Sequence, residues 1–333
     1  MQTVALACHA MATRFEIVLH GTDEVRLRAA GEEALEVIGR LEAQLSCYRA
    51  SSELSRLNAR AAQAPVRVEP GLFRLLQHAQ RLQAETQGAF DITVAPLMRC
   101  WGFVNGTGKL PDPDELAEAR TRVGMQLVKF NTDDFTIQFE REGVRLDLGA
   151  IGKGYALERA AELLREVGVT SALLHGGTST VYALGKPPDA ECWKVAIERP
   201  PDNAWSSALT RSITSGPPEG GTPNPLATVP LQDEALSVSA VWGKSFQADG
   251  KTFGHVLDPR TGQPVRGVLL AAVTLPSATE TDALSTALLT LGPAGHEQIA
   301  NLRPGMRTLL VVESETAEPF RAETRGITVT SPS

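Results

Sequence analysis

The stretch Arg145–Ala156, RLDLGAIGKGYA, decides how this chain is read. Leu146 and Leu148 alternate as strand positions around Asp147, and Gly149, Gly152 and Gly154 punctuate a turn. Apolar residues then recur at helical spacing from Tyr155 to Val167. A buried strand has little reason to carry an acid at Asp147. A turn that opens a helix presents backbone N–H groups and the positive end of the helix dipole, so anions favour it. Two known phosphate motifs fail here. A Walker A loop needs glycine where Asp147 stands and Ser or Thr where Gly154 stands. The dinucleotide fingerprint needs a third glycine where Leu157 stands. Taken alone, the stretch reads as a tight strand-to-helix connection with a solvated Lys153.

Downstream, TSALLHGGTSTVYALG (Thr170–Gly185) is a strand ending in Gly176-Gly177 and resuming as another, with His175 a turn histidine. Strand, helix and strand in that order suggest a crossover unit. Upstream, Phe15–Leu19 is a short strand and Asp23–Ser46 an amphipathic helix with Leu27, Ala30, Ala34, Leu35, Ile38, Leu41 and Leu45 facing inward. After Tyr48, SSELSRLN (Ser51–Asn58) is a polar turn that serves as a cap or as a ligand-facing loop. Pro70–Gly88 is a second helix. GAFDITVAPLMRCWGF (Gly88–Phe103) follows, in which Asp91 is a ligand or a capping acid beside core aromatics. Pro111–Gly124 reads as a helix and Val128–Phe139 as two strands broken at Asn131.

Residues 200–232 form a Pro/Gly-rich excursion without apolar periodicity. Beyond it come a strand over Leu236–Ser245 and GKTFGHVLDPRTGQPV (Gly250–Val265), a strand containing His255 that ends at Asp258-Pro259. A further strand spans Val268–Leu275. PSATETDALSTALLTLG (Pro276–Gly292) opens a helix with Ser277 and Glu280 as a capping box. Asp282 and Thr286, four residues apart on one face, are oxygen ligands suited to Mg²⁺, unless the acid merely complements the helix dipole.

The 333 residues allow one large domain or two packed ones, and 42% apolar and 21% charged residues are ordinary globular values. A net charge of −7 without a Lys/Arg cluster speaks against nucleic acid as the main partner. Cys8, Cys47, Cys100 and Cys192 are too scattered for a zinc site or a disulfide framework, and buried free thiols are expected. No apolar run is long enough for stable membrane insertion. The N-terminus carries no basic, apolar leader. Location is therefore cytoplasmic for the chain as written, or periplasmic or cell-envelope if a signal segment was removed.

In combination and order, these segments resemble the flavin transferases of the ApbE family. The resemblance covers about Ala10–Gly292. It rests on Met11-Ala12-Thr13, Tyr48 with SSELSRLN, GAFDITVAPL with WGF, LDLGAIGKGYA, Gly176-Gly177, GHVLDPRTGQPV and TDALSTALLTLG. Two positions depart from the family pattern: Ala12 stands where Gly is frequent, and Thr178 where an acid is frequent. The fold implied is α+β, mixed β-sheets with packed helices around a central FAD cleft. The expected domain spans residues 1–300, with 301–333 as C-terminal strands and tail.

The resemblance also implies an activity: Mg²⁺-dependent transfer of FMN from FAD to a threonine hydroxyl of an acceptor protein, releasing AMP. Met11, Tyr48, Ala89, Phe90, Asp91, Asp147, Lys153 and Val256 would line the FAD pocket. The Ala150 carbonyl, Asp282 and Thr286 would hold Mg²⁺, and His255 and Asp282 would be catalytic. An Mg²⁺-dependent FAD pyrophosphatase and a non-catalytic flavin carrier are the alternatives.

Overall fold

The computed structural model describes residues 1–104, 106, 108–201, 225–314 and 320–330. At the N-terminus, β1 (Gln2–Ala10) and β2 (Thr13–Gly21) form a hairpin. Its two-residue turn, Met11 and Ala12, has φ of 50° and 58°, as such hairpin turns require. Asp23 caps α1 (Glu24–Leu45) by accepting from the Arg26 N–H, which makes the expected helix correct to a residue at each end. SSELSRLN proves to be helical. Ser52 accepts from the Ser55 N–H at 2.9 Å and starts α2 (Glu53–Arg60), so the capping alternative holds. After β3 (Val66–Arg67) come α3 (Pro70–Glu85), α4 (Ala95–Cys100) and α5 (Pro113–Arg120). β4 (Val128–Asn131) and β5 (Thr136–Phe139) then complete a small sheet in the order β3-β5-β4.

The opening stretch is corrected in one respect: Arg145–Leu148 belongs to no strand. Leu146 donates to Asn58 Oδ1 at 2.7 Å and its carbonyl accepts from Asn58 Nδ2 at 2.9 Å. The Asp147 N–H donates to the Ile92 carbonyl at 2.7 Å. A buried amide side chain, 8% exposed, thus replaces a neighbouring strand, and the alternating apolar pattern is the same in either case. α6 (Gly152–Glu166) begins three residues earlier than expected. With no strand before α6, the expected crossover unit is absent; the next strands, β6 (Ser171–Gly176) and β7 (Thr180–Gly185), pair with each other in antiparallel fashion across the Gly176-Gly177 turn.

β8 (Trp193–Ile197) pairs with β9 (Ala227–Leu231). The end of the expected excursion is therefore a strand, while its residues 202–224 lie outside the described residues. β10 (Glu234–Ala240) stops short of Ser245, and β11 (Ser245–Ala248) and β12 (Lys251–Gly254) form a separate hairpin with His255 just beyond it. β13 (Val268–Leu275) coincides with its expected span. α7 (Ala278–Leu291) is capped by Ser277, which accepts from the Glu280 N–H. α8 (Pro293–Ala300), β14 (Arg307–Glu313) and β15 (Phe320–Arg325) finish the chain.

The main sheet has eight strands in the order β1-β2-β6-β7-β10-β13-β14-β15, antiparallel at every step. The expected α+β class is what the structure has. α1, α6, α7 and α8 touch one another in sequence and cover one face of the sheet. The ribbon β8–β9 adds Ile197, Val229 and Leu231 to the core that Ala183 and Leu236 share with β13 and β14. All eight residues of β13 are buried, as a strand covered on both faces demands. The four cysteines are free but only half-buried, less enclosed than expected. Among the described residues, no helix is long and apolar enough to cross a membrane.

α6 and α7 meet at a glycine. A Cβ on Gly154 would lie 2.0 Å from the Ala278 carbonyl oxygen and 2.8 Å from Asp282 Cβ. Glu158, one turn further along α6, accepts from Ser277 Oγ at 2.7 Å and from the Thr279 N–H at 2.8 Å, so α6 supplies part of the N-terminal cap of α7. Gly154→Ala should force the helices apart and cost about 1–3 kcal/mol. Urea denaturation should show a lower midpoint at unchanged slope, and an unshifted midpoint would contradict the close packing.

Candidate active site

α7, the loop before α6, the segment Ala89–Ile92 and the turn after β12 converge on a cleft of about 1080 Å³. Eleven of the twelve residues named from the sequence line it: Tyr48, Ala89, Phe90, Asp91, Asp147, Ala150, Lys153, His255, Val256, Asp282 and Thr286. Met11 does not. It sits in the β1–β2 turn against the core of α1 and α6, and its neighbour Thr13 reaches the cleft instead.

Asp282 is the pivot of one wall. The residue is 4% exposed, and a carboxylate so enclosed must be compensated by donors. Oδ2 accepts from the Gly154 N–H at 3.0 Å, and Oδ1 accepts from Thr180 Oγ1 at 3.4 Å. Lys153 Nζ lies 3.6 Å from Oδ1 and donates to the Gly149 carbonyl at 3.3 Å. Because the Gly154 N–H turns to Asp282, it does not close the helical bond to Ala150. Among the described residues no donor reaches that carbonyl. Thr286, one turn along α7, has its hydroxyl 3.1 Å from Ser239 Oγ and 3.3 Å from the Asp282 carbonyl. A carboxylate, a hydroxyl and an unpaired carbonyl are the hard oxygen donors that Mg²⁺ accepts when substrate phosphate and water complete its shell. They fit such a cation. Among the described residues no group of three or more His, Cys, Asp or Glu side chains gathers as an alternative site.

His255 lines the same cleft, half-buried. Its ring Nδ1 lies 3.1 Å from the Lys244 carbonyl, which also accepts the His255 N–H at 3.0 Å. A carbonyl only accepts, so Nδ1 carries the proton and Nε2 keeps its lone pair. Burial, followed by the positive charges of Lys244 and Lys153, holds the imidazole pKa below its usual 6.5, against the opposing pull of the Lys244 carbonyl. The ring is neutral at pH 7.

The remaining residues divide into cleft surface and support. Tyr48 is 66% exposed at the mouth, an aromatic face available to a ring system. Burial and then the neighbouring Asp147 push the Tyr48 hydroxyl and the Cys47 thiol each up to about 12, so both remain protonated donors beside that carboxylate. Asp147 also accepts from the Gly149 N–H at 2.8 Å. Asp91 is turned inward: Oδ1 accepts from the Thr93 N–H at 2.8 Å and from Thr93 Oγ1 at 2.6 Å. Its carboxylate organises the segment, while Ala89 and Phe90 beside it are buried in the main core and back the cleft wall.

Several lining residues were not singled out as site residues from the sequence: Ser239, Trp242, Lys244, residues 195–198 of the β8 strand and its exit, and His175. His175 has its pKa lowered chiefly by burial. The signal available for Ser239 was its alternate position to Ser237 in β10. Both face hydroxyls of α7, Ser237 with Thr281 at 2.8 Å and Ser239 with Ser285 at 2.9 Å.

Known proteins resemble this chain in sequence and fold. An FAD:protein FMN transferase of Klebsiella pneumoniae is 30% identical over 314 residues, covering 91% of this chain and 82% of the relative. One of Treponema pallidum is 30% identical over 291 residues, covering 86% and 77% respectively. The crystal structure of the Pseudomonas stutzeri flavinyl transferase ApbE in its apo form superposes with a TM-score of 0.80 at 27% identity, over 98% of this chain and 95% of that one. The ApbE family model matches residues 11–310, and the chain belongs to the ApbE family.

Proposed function

We propose that this chain is a transferase that moves FMN from FAD to a threonine hydroxyl of an acceptor protein, in an Mg²⁺-dependent reaction that releases AMP. The transfer itself is supported by relatives named FAD:protein FMN transferase. One observation carries the finer reading: a single cleft holds a neutral imidazole with Nε2 unprotonated together with an enclosed carboxylate and, among the described residues, an unpaired carbonyl.

The chemistry is an in-line displacement at phosphorus. The acceptor oxygen forms a bond to the FMN phosphorus, the pyrophosphate P–O bond breaks, and AMP leaves with the bridging oxygen. His255 Nε2 accepts the hydroxyl proton. Asp282, Thr286 and the Ala150 carbonyl would hold Mg²⁺, which supplies charge neutralisation on the pyrophosphate when bound. Tyr48 and Val256 offer apolar surface to the rings, backed by the buried Phe90, and Asp147 accepts a hydrogen bond from the adenosine half.

Incubation with FAD, Mg²⁺ and a candidate acceptor should add the mass of FMN to the acceptor. FMN and AMP appearing at the same rate without any acceptor would indicate a pyrophosphatase, and intact FAD with a competent acceptor would indicate a carrier. Asp282→Ala should remove Mg²⁺-dependent transfer from a folded protein; transfer at the wild-type rate would refute the cation assignment.

Because a base works unprotonated, kcat/KM should fall as pH drops through the lowered His255 pKa, placing the acid limb below pH 6.5. In His255→Ala that limb should vanish and turnover should drop roughly 10²- to 10⁴-fold, with FAD binding retained. Lost binding at unaltered turnover per bound FAD would make His255 a pocket residue instead.

A further inference from the structure

Lys153 is in an unusual place for a cation. It is the second residue of α6, where the dipole disfavours positive charge, between two glycines. Its ammonium bridges two groups, lying 3.3 Å from the Gly149 carbonyl and 3.6 Å from Asp282 Oδ1. Gly149 precedes Ala150, so the ammonium links the same loop to the same carboxylate that a divalent ion held by Ala150 and Asp282 would link. The lysine side chain is 21% exposed and that of Asp282 only 6%. The carboxylate is therefore far more enclosed than the cation that neutralises it.

From this geometry we infer that Lys153 holds the place of the divalent cation before FAD arrives, and that the two cations exclude each other at Asp282. The inference rests on the cation site proposed above and adds a coupling to it. A lysine has a flexible four-carbon stem and a compact point charge, so its ammonium leaves Asp282 once another anion is offered nearby. The FAD pyrophosphate is such an anion, since the cleft that takes it is lined by both Lys153 and Asp282. FAD thus draws the ammonium away and opens Asp282 to the metal, and by linkage the metal strengthens FAD binding by the same factor. Without FAD the protein resists loading with a divalent ion.

Mn²⁺ binding, read by electron paramagnetic resonance of the free ion, tests this on the intact protein with and without saturating FAD. In wild type, Mn²⁺ should bind weakly alone and at least about tenfold more tightly with FAD. Lys153→Met should bind Mn²⁺ about tenfold more tightly than wild type in the absence of FAD, and the gain on adding FAD should shrink correspondingly. Lys153→Arg, which keeps the charge, should retain weak FAD-free binding. Unchanged or weaker FAD-free binding by a Lys153→Met protein with a wild-type circular dichroism spectrum overturns the inference and leaves the proposed transfer standing. A wild-type protein that binds no Mn²⁺ with or without FAD overturns the inference together with the cation site beneath it.

Discussion

An enclosed carboxylate must be met by donors held in place, and at Asp282 that requirement shapes the surrounding structure. Its partners come from separate parts of the chain: the Gly154 N–H and Lys153 from α6, and Thr180 from β7. The backbone of α6 comes close enough only because position 154 has no Cβ, the Ala278 carbonyl lying where one would stand. The same approach frees the Ala150 carbonyl from its helical partner. A packing constraint between two helices therefore also yields the oxygen donors of the cleft.

The antiparallel sheet serves as the rigid side of this arrangement. β10 and β13 lie beneath α7, and the hydroxyls of Ser237 and Ser239 meet those of Thr281, Ser285 and Thr286 across that contact. Buried hydroxyls fix rotation and translation where apolar side chains alone would allow slippage. On the far side of α7, Arg303 bonds Glu280 at 2.8 Å and Glu85 at 2.6 Å, while His78 lies 3.1 Å from Glu280. These ties anchor the first turn of α7, which leads directly into Asp282.

Much of this was legible in the sequence where the signal is local. α1, α3 and α7 announce themselves through Asp23, Pro70 and Ser277, because capping and periodicity involve neighbours a few residues apart. The α+β class and the cleft residues from Tyr48 to Thr286 followed from ordered motifs. What was misread depends on distant partners. Arg145–Leu148 alternates like a strand, yet its partner is the Asn58 side chain, 88 positions away. The expected crossover fell with it, because its first strand is this unpaired stretch. Asp91 was open between ligand and capping acid, and its carboxylate bonds Thr93, two positions on; Met11, placed in the cleft by its motif, lies in the hairpin turn.

The bond between Gly154 and Asp282 spans 128 positions, and this separation bears on the order in which the protein is made. A ribosome that has emitted α6, β6 and β7 has delivered one half of the cleft wall and none of the helix that completes it. Nascent chains up to that point lack Asp282 and the wall it organises. Non-local closure of this kind slows folding. The cleft wall is complete only on chains whose synthesis has passed α7.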